Sequence, residues 1–159
     1  MRKYLSIIMC CILFLMSAEA VYATDETNSD EWYEMVEEDF ELSLDNESQQ
    51  IVPYTLYLAG VNTYITKLSS SKIGMYVEVQ CAQSVSSIST TFYLQKNYSG
   101  TWKNVASGTV SSSNASYMSK SVSVSGVSSG TYRAKTVTCV ADKYGYSESV
   151  TGYSGSMSL

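Results

Sequence analysis

Ile73-Gly74-Met75-Tyr76-Val77-Glu78-Val79-Gln80-Cys81 carries apolar side chains at its odd positions and Tyr76, Glu78 and Gln80 at the even ones. A period of two puts Ile73, Met75, Val77, Val79 and Cys81 on one face of a strand and leaves the other face wet. The same alternation continues outward from this stretch. Ile88, Phe92 and Leu94 alternate with Ser89, Thr91, Tyr93 and Gln95, and Val122 and Val124 alternate with Ser121, Ser123 and Ser125. Ser and Thr supply 35 of the 109 residues from Ile51 onward, and no window there sustains a helical period. Turn signals fall at Asn97–Gly100, Ser111–Asn114, Ser128–Gly130 and Lys143–Gly145. They predict about seven strands, over 55–67, 72–82, 88–97, 101–110, 117–126, 131–141 and 146–157. The expected class is all-β: an immunoglobulin-like antiparallel β-sandwich with the third, fourth, sixth and seventh strands in one sheet.

The hairpin Phe92-Tyr93-Leu94-Gln95-Lys96 to Gly100-Thr101-Trp102, with Gly130-Thr131-Tyr132-Arg133-Ala134 opening a later strand, resembles immunoglobulin- or fibronectin-III-like modules of bacterial surface proteins. The whole chain resembles small secreted proteins of Gram-positive anaerobes. The resemblance covers about residues 54–157 and implies a module that binds, spaces or presents; fold alone fixes none of these roles. One departure concerns the tryptophan: Trp102 opens the fourth strand, where an immunoglobulin domain buries one on the third.

Ahead of the domain, Arg2 and Lys3 precede an apolar run from Leu5 to Met16, and Val21-Tyr22-Ala23 suits signal peptidase. The expected organisation is a signal peptide over 1–23, an acidic arm over 24–50 and the β-domain over 51–159. Secretion is the expected destination, with no membrane association after cleavage. Net charge is −5 for the full chain, and it divides sharply. Residues 24–50 hold eleven Asp or Glu and no Lys or Arg. Residues 51–159 hold eight Lys or Arg against Glu78, Asp142 and Glu148. A basic domain therefore carries an acidic arm.

Within the arm, Trp32, Val36, Phe40 and Leu44 recur at four-residue spacing, which on a helix makes an apolar stripe. So many like charges disfavour an isolated helix, so the arm reads as disordered or transiently helical. Its docking residues are Trp32, Val36 and Phe40. They are expected to engage either the basic sheet face in cis, masking it, or a protein partner.

Two cysteines remain after the leader, Cys81 and Cys139. Lone thiols in an oxidising compartment usually pair, and buried free thiols are the alternative. Strand phase complicates the bridge. If Tyr132, Ala134, Thr136, Thr138 and Val140 face inward, Cys139 shares the outer face with Arg133 and Lys135 unless a bulge re-aims it.

The chain contains no histidine, which removes Ser-His and Cys-His nucleophile pairs and most zinc sites. No phosphate loop, dinucleotide fingerprint or calcium loop is present. The expectation is a non-enzymatic protein with no cofactor and no metal. The outer face of the sheet holding the third strand should carry Tyr93, Gln95, Lys103, Arg133 and Lys135, with Tyr153 beside them. A basic surface interspersed with tyrosines suits sugars by stacking and anionic cell-wall polymers or glycans by charge. Nucleic acid is not expected, since the net charge is modest for it. The plainer reading of the same residues is solubility and cross-strand pairing. A second candidate is the loop Asp142-Lys143-Tyr144-Gly145-Tyr146, with Tyr144 and Tyr146 as contact residues.

Overall fold

The structure, a computed structural model, describes residues 31–41, 49–51 and 56–159. The expected signal peptide and its cleavage after Ala23, and the arm around Leu44, lie outside the described residues. The folded unit runs from Glu31 to Leu159.

Alternating Val, Ile, Tyr and Thr with few breakers make long strands. In chain order the described residues form β1 (Met35–Glu37), β2 (Gln49–Ile51), β3 (Leu58–Ser69), β4 (Lys72–Tyr98), β5 (Thr101–Ser125), β6 (Thr131–Ala141) and β7 (Ser147–Ser158). All pairings are antiparallel. The early half of β4 pairs with β3 and with the late half of β5; its late half pairs with β6 and with the early half of β5. One layer is therefore β1, late β5, early β4, β3 and β2, and the other is early β5, late β4, β6 and β7. The second layer contains the four segments expected to share a sheet.

The expected seven segments are resolved differently at two joints. Early and late β4 are one continuous strand, as are the two halves of β5, so Ser111–Asn114 is a bend inside β5 and not a turn. The ladder between them breaks between Gln80 and Val85, and Asn114 takes φ of 51°, a left-handed conformation that asparagine tolerates. Beyond that break, burial on β4 changes from odd residues (Ile73 to Cys81) to even ones (Ile88 to Leu94) as the strand passes from one layer to the other.

The inner faces meet over Val61, Ile73, Met75, Val77, Val79, Ile88, Phe92, Leu94, Tyr132 and Val140, all fully or almost fully buried. Each large apolar side chain of this kind contributes about 1.5–3 kcal/mol by burial. Threonines also enter this interior as hydrogen-bonded pairs. Thr63 of β3 meets Thr136 of β6 at 2.6 Å between Oγ1 atoms, and Thr90 meets Thr138 at 2.8 Å. Gly152 on β7 makes the first pair accessible: a Cβ there would lie 2.7 Å and 2.8 Å from the two hydroxyl oxygens. At the start of β6 the buried Tyr132 hydroxyl donates to the Ser128 carbonyl at 2.8 Å, four residues upstream. This bond ties the turn between β5 and β6 to the start of β6.

Both cysteines are free thiols, which corrects the Cys81–Cys139 bridge. Cys81 ends the inward row of early β4 and is buried, whereas Cys139 lies outward on β6 between Ser89 and Ser149. No bulge re-aims Cys139, because the β4–β6 register runs unbroken from Ser87 to Lys96. Burial, with a smaller contribution from the charge of Glu148, pushes the Cys81 thiol up and keeps it protonated.

The arm over 31–41 is extended, and neither helical nor free of the domain. Tyr33 N–H donates to the Val105 carbonyl at 2.8 Å, β1 pairs with Val122–Val124 of β5, and Glu38 N–H donates to the Ser121 carbonyl at 3.2 Å. Its inward residues therefore recur at two, not four. Tyr33 and Met35 pack on the core, while Trp32 and Val36 are 61% and 52% exposed. Of the three expected docking residues only Phe40 docks: its ring lies over Gly74, where a Cβ would come within 2.6 Å of Cζ. Three domain lysines meet arm carboxylates. Lys96 pairs with Glu31 at 2.7 Å, Lys72 with Glu38 at 2.6 Å, and Lys120 with Glu37.

Candidate binding face

Late β4, β6 and β7 bring Tyr93, Gln95, Arg133, Lys135 and Tyr153 onto the outer face of the four-stranded layer. Tyr93 stands opposite Lys135, Gln95 opposite Arg133, and Lys135 opposite Tyr153. The Arg133 guanidinium lies 4.4 Å from the Trp102 ring centroid and 4.6 Å from that of Tyr153, a cation stacked with two aromatic rings. Its Nε donates to Gln95 Oε1 at 2.8 Å, and Gln95 Nε2 donates to Asn104 Oδ1 at 2.8 Å. Gln95 is only 7% exposed, so its role is to hold Arg133 from below and not to meet a ligand itself. The Lys135 ammonium lies 5.4 Å from the Tyr93 ring centroid. Among the described residues no carboxylate pairs with Arg133 or Lys135. Stacking and the Nε hydrogen bond fix the guanidinium plane, and its other N–H donors remain for an anionic or hydroxylated partner.

Lys103 is the misplaced member of the expected set. The ladder shifts by one residue between Leu94 and Gln95, leaving Val105 as an extra residue on β5. Without that bulge Lys103 would face Asn97 on the outer side. With it, Lys103 pairs with Lys96 on the opposite side, its ammonium 5.9 Å from the Tyr98 ring. The same bulge brings Trp102 and Asn104 onto the binding face, and neither was expected there. Tyr33 of the arm donates to the carbonyl of the bulged Val105.

The 142–146 loop stands at the other end of β6, about 30 Å along the strand from Arg133 at the usual rise per residue. Tyr144 and Tyr146 therefore do not join the face. Asp142 organises the loop: Oδ1 accepts from Tyr144 N–H at 2.8 Å and Tyr146 N–H at 2.9 Å, and Oδ2 accepts from the Tyr57 hydroxyl at 2.8 Å. Burial alone would raise the Asp142 carboxyl, but these bonds outweigh it and lower it. Tyr144 is 83% exposed at the rim of an open cleft of about 450 Å³ with Tyr57, Ser84, Ser86 and Asn114.

The described residues 31–41 of the arm leave the basic face uncovered. Residues 31–41 reach the Glu31 cluster beside Lys96, the open edge at late β5, and the outer side of the other layer at Gly74. The expected packing of Trp32, Val36 and Phe40 on the tyrosines of the face does not occur. Around Glu31 the carboxylate accepts from Lys96 Nζ at 2.7 Å and the Tyr98 hydroxyl at 2.5 Å, and from Ser128 and Tyr33. Burial alone would raise its pKa; these bonds outweigh burial and bring it from 4.5 to about 2. No protein-family model, curated protein or solved structure matches the chain.

Proposed function

We propose that this chain is a secreted, non-enzymatic binding module that engages anionic cell-envelope polymers or acidic glycans through the outer face of the four-stranded layer. The observation that supports this most strongly is the Arg133 guanidinium stacked between Trp102 and Tyr153 and oriented by Gln95, with Lys135 over Tyr93 one step along β6. Preorganised cations without a partner carboxylate suit phosphate or carboxylate groups, and the adjoining rings suit sugar faces. The arm carboxylates pair with Lys72, Lys96 and Lys120, and Arg133 and Lys135 are left without such a partner among the described residues. The test is co-sedimentation of residues 24–159 with cell walls, with and without their anionic polymers, at low and high salt. Binding that needs the polymers, weakens with salt and falls in Arg133→Ala supports the reading; binding indifferent to polymers or to Arg133 overturns it.

A second reading has its own observation. Val36 on β1, an edge strand among the described residues, and Trp32 just ahead of it are both exposed, with Glu34 and Glu37 beside them. This favours a structural or colonisation factor whose acidic-aromatic arm binds a protein partner while the β-domain is a scaffold. Partner capture lost in Trp32→Ala but retained in Arg133→Ala would select it.

A further inference from the structure

Of the three acids after residue 51, two have structural work. Glu148 accepts the backbone N–H groups of Leu56, Tyr57 and Leu58 at 2.8–3.1 Å, and Asp142 caps its loop. Glu78 differs. It lies on the outer face of the three central strands of the other layer, in register with Asn62 and Ser119, and no described lysine or arginine pairs with it. Among the described residues only neutral groups donate to it, all through long hydrogen bonds: Asn62 Nδ2 and the Tyr64 and Tyr76 hydroxyls at 3.3 Å, and the Tyr117 hydroxyl at 3.2 Å. Hydroxyls that bond a carboxylate well stand at about 2.5–2.7 Å, as Tyr98 does to Glu31.

Beside this carboxylate, Asn62 Oδ1 is buried without a hydrogen-bond partner among the described residues. Turning the amide over would aim an oxygen at Glu78, so the orphaned acceptor is held in place by the bond from Nδ2. A cavity of about 200 Å³ opens here, lined by Gly60, Asn62, Glu78, Gln80 and Tyr117. An anion with no counter-ion among the described residues, an unused acceptor and the Tyr117 ring together ask for a cation that carries N–H donors.

We propose that this cavity binds a primary ammonium or guanidinium group, with Glu78 supplying charge, Asn62 Oδ1 accepting an N–H and the Tyr117 ring flanking the cation. The site lies on a different layer from Arg133 and does not depend on the envelope-polymer reading. The group can come from a small free amine or from a partner's lysine or arginine side chain.

The test is a nuclear magnetic resonance titration, at constant ionic strength, of residues 24–159 with methylguanidinium, n-butylammonium, tetramethylammonium and a capped glycine pentapeptide containing one lysine. The two N–H-bearing small cations should give saturable shifts at the Asn62 amide and Tyr117 ring. Tetramethylammonium, with equal charge and no donor, should bind at least tenfold more weakly. Glu78→Gln should weaken n-butylammonium at least tenfold and Asn62→Ala at least threefold, with Arg133→Ala unchanged. Tighter binding of the peptide than of n-butylammonium assigns the source to a partner side chain, and the reverse to a free amine. No saturable shift, parity of tetramethylammonium with the donors, or undiminished binding in Glu78→Gln overturns the site. The first two of these outcomes are read on the unsubstituted protein, so they stand even if a variant fails to fold.

Discussion

Replacing Glu31 by glutamine removes the charge that fastens the start of the arm. The carboxylate accepts from Lys96 at 2.7 Å and Tyr98 at 2.5 Å, and the side chains of Lys96 and Glu31 are 12% and 25% exposed. Its pKa falls from 4.5 to about 2, which corresponds to at most ~3 kcal/mol. Solvent screening of a carboxylate a quarter exposed reduces the expectation to about 1–2 kcal/mol at neutral pH. Because the folded-state pKa is depressed, this stabilisation is complete above about 4.5 and is lost as pH falls through about 2. The assay is native-state hydrogen exchange at Tyr33 N–H, which donates to Val105 at 2.8 Å and opens when the arm start detaches. At pH 7 protection in Glu31→Gln should drop about 5- to 30-fold, since 1.4 kcal/mol is a factor of ten. The difference from the unsubstituted protein should shrink steadily between pH 4.5 and 2. Equal protection at pH 7, or a gap as large at pH 2 as at pH 7, would refute the reasoning.

Other substitutions probe separate joints. Gly74→Ala places a methyl group 2.6 Å from Phe40 Cζ, so the ring should swing away and limited proteolysis within 38–41 should quicken, with the β-domain itself intact. Glu148→Ala strands three backbone donors at the start of β3 and should cost about 2–4 kcal/mol in urea unfolding. A maleimide should label Cys139 rapidly in folded residues 24–159 and reach Cys81 only on unfolding; simultaneous labelling of both would contradict the burial of Cys81.

What the sequence makes legible is what alternation controls. The inward rows of Ile73–Cys81 and Ile88–Leu94, and the partnership of the third, fourth, sixth and seventh segments, follow from a period of two and the fewness of antiparallel topologies that bury it. The bulge at Val105 has no glycine or proline to announce it, and one uncounted residue moves Lys103 off the face and brings Trp102 onto it. In the arm, Trp32, Val36 and Phe40 at four-residue spacing suggest a helix, yet local propensity yields to the open edge of late β5, which offers backbone partners to an extended chain. Tyr33 and Met35 then become the inward pair, and lysines 96, 120 and 72 stand where Glu31, Glu37 and Glu38 arrive. The stacking of Arg133 between Trp102 and Tyr153 joins residues 31 and 20 positions away from it, a relation that only register reveals.

The most direct test of the proposed role is residue-by-residue mapping of a soluble anionic polymer, such as polyglycerol phosphate, onto residues 24–159 by nuclear magnetic resonance. The account predicts shifts centred on the Arg133 Nε–H, the Trp102 indole and Tyr93, abolished at high salt, lost in Arg133→Ala and unchanged in Lys103→Ala. Shifts centred on the lysines held by the arm, or equal sensitivity to Arg133 and Lys103, would contradict it.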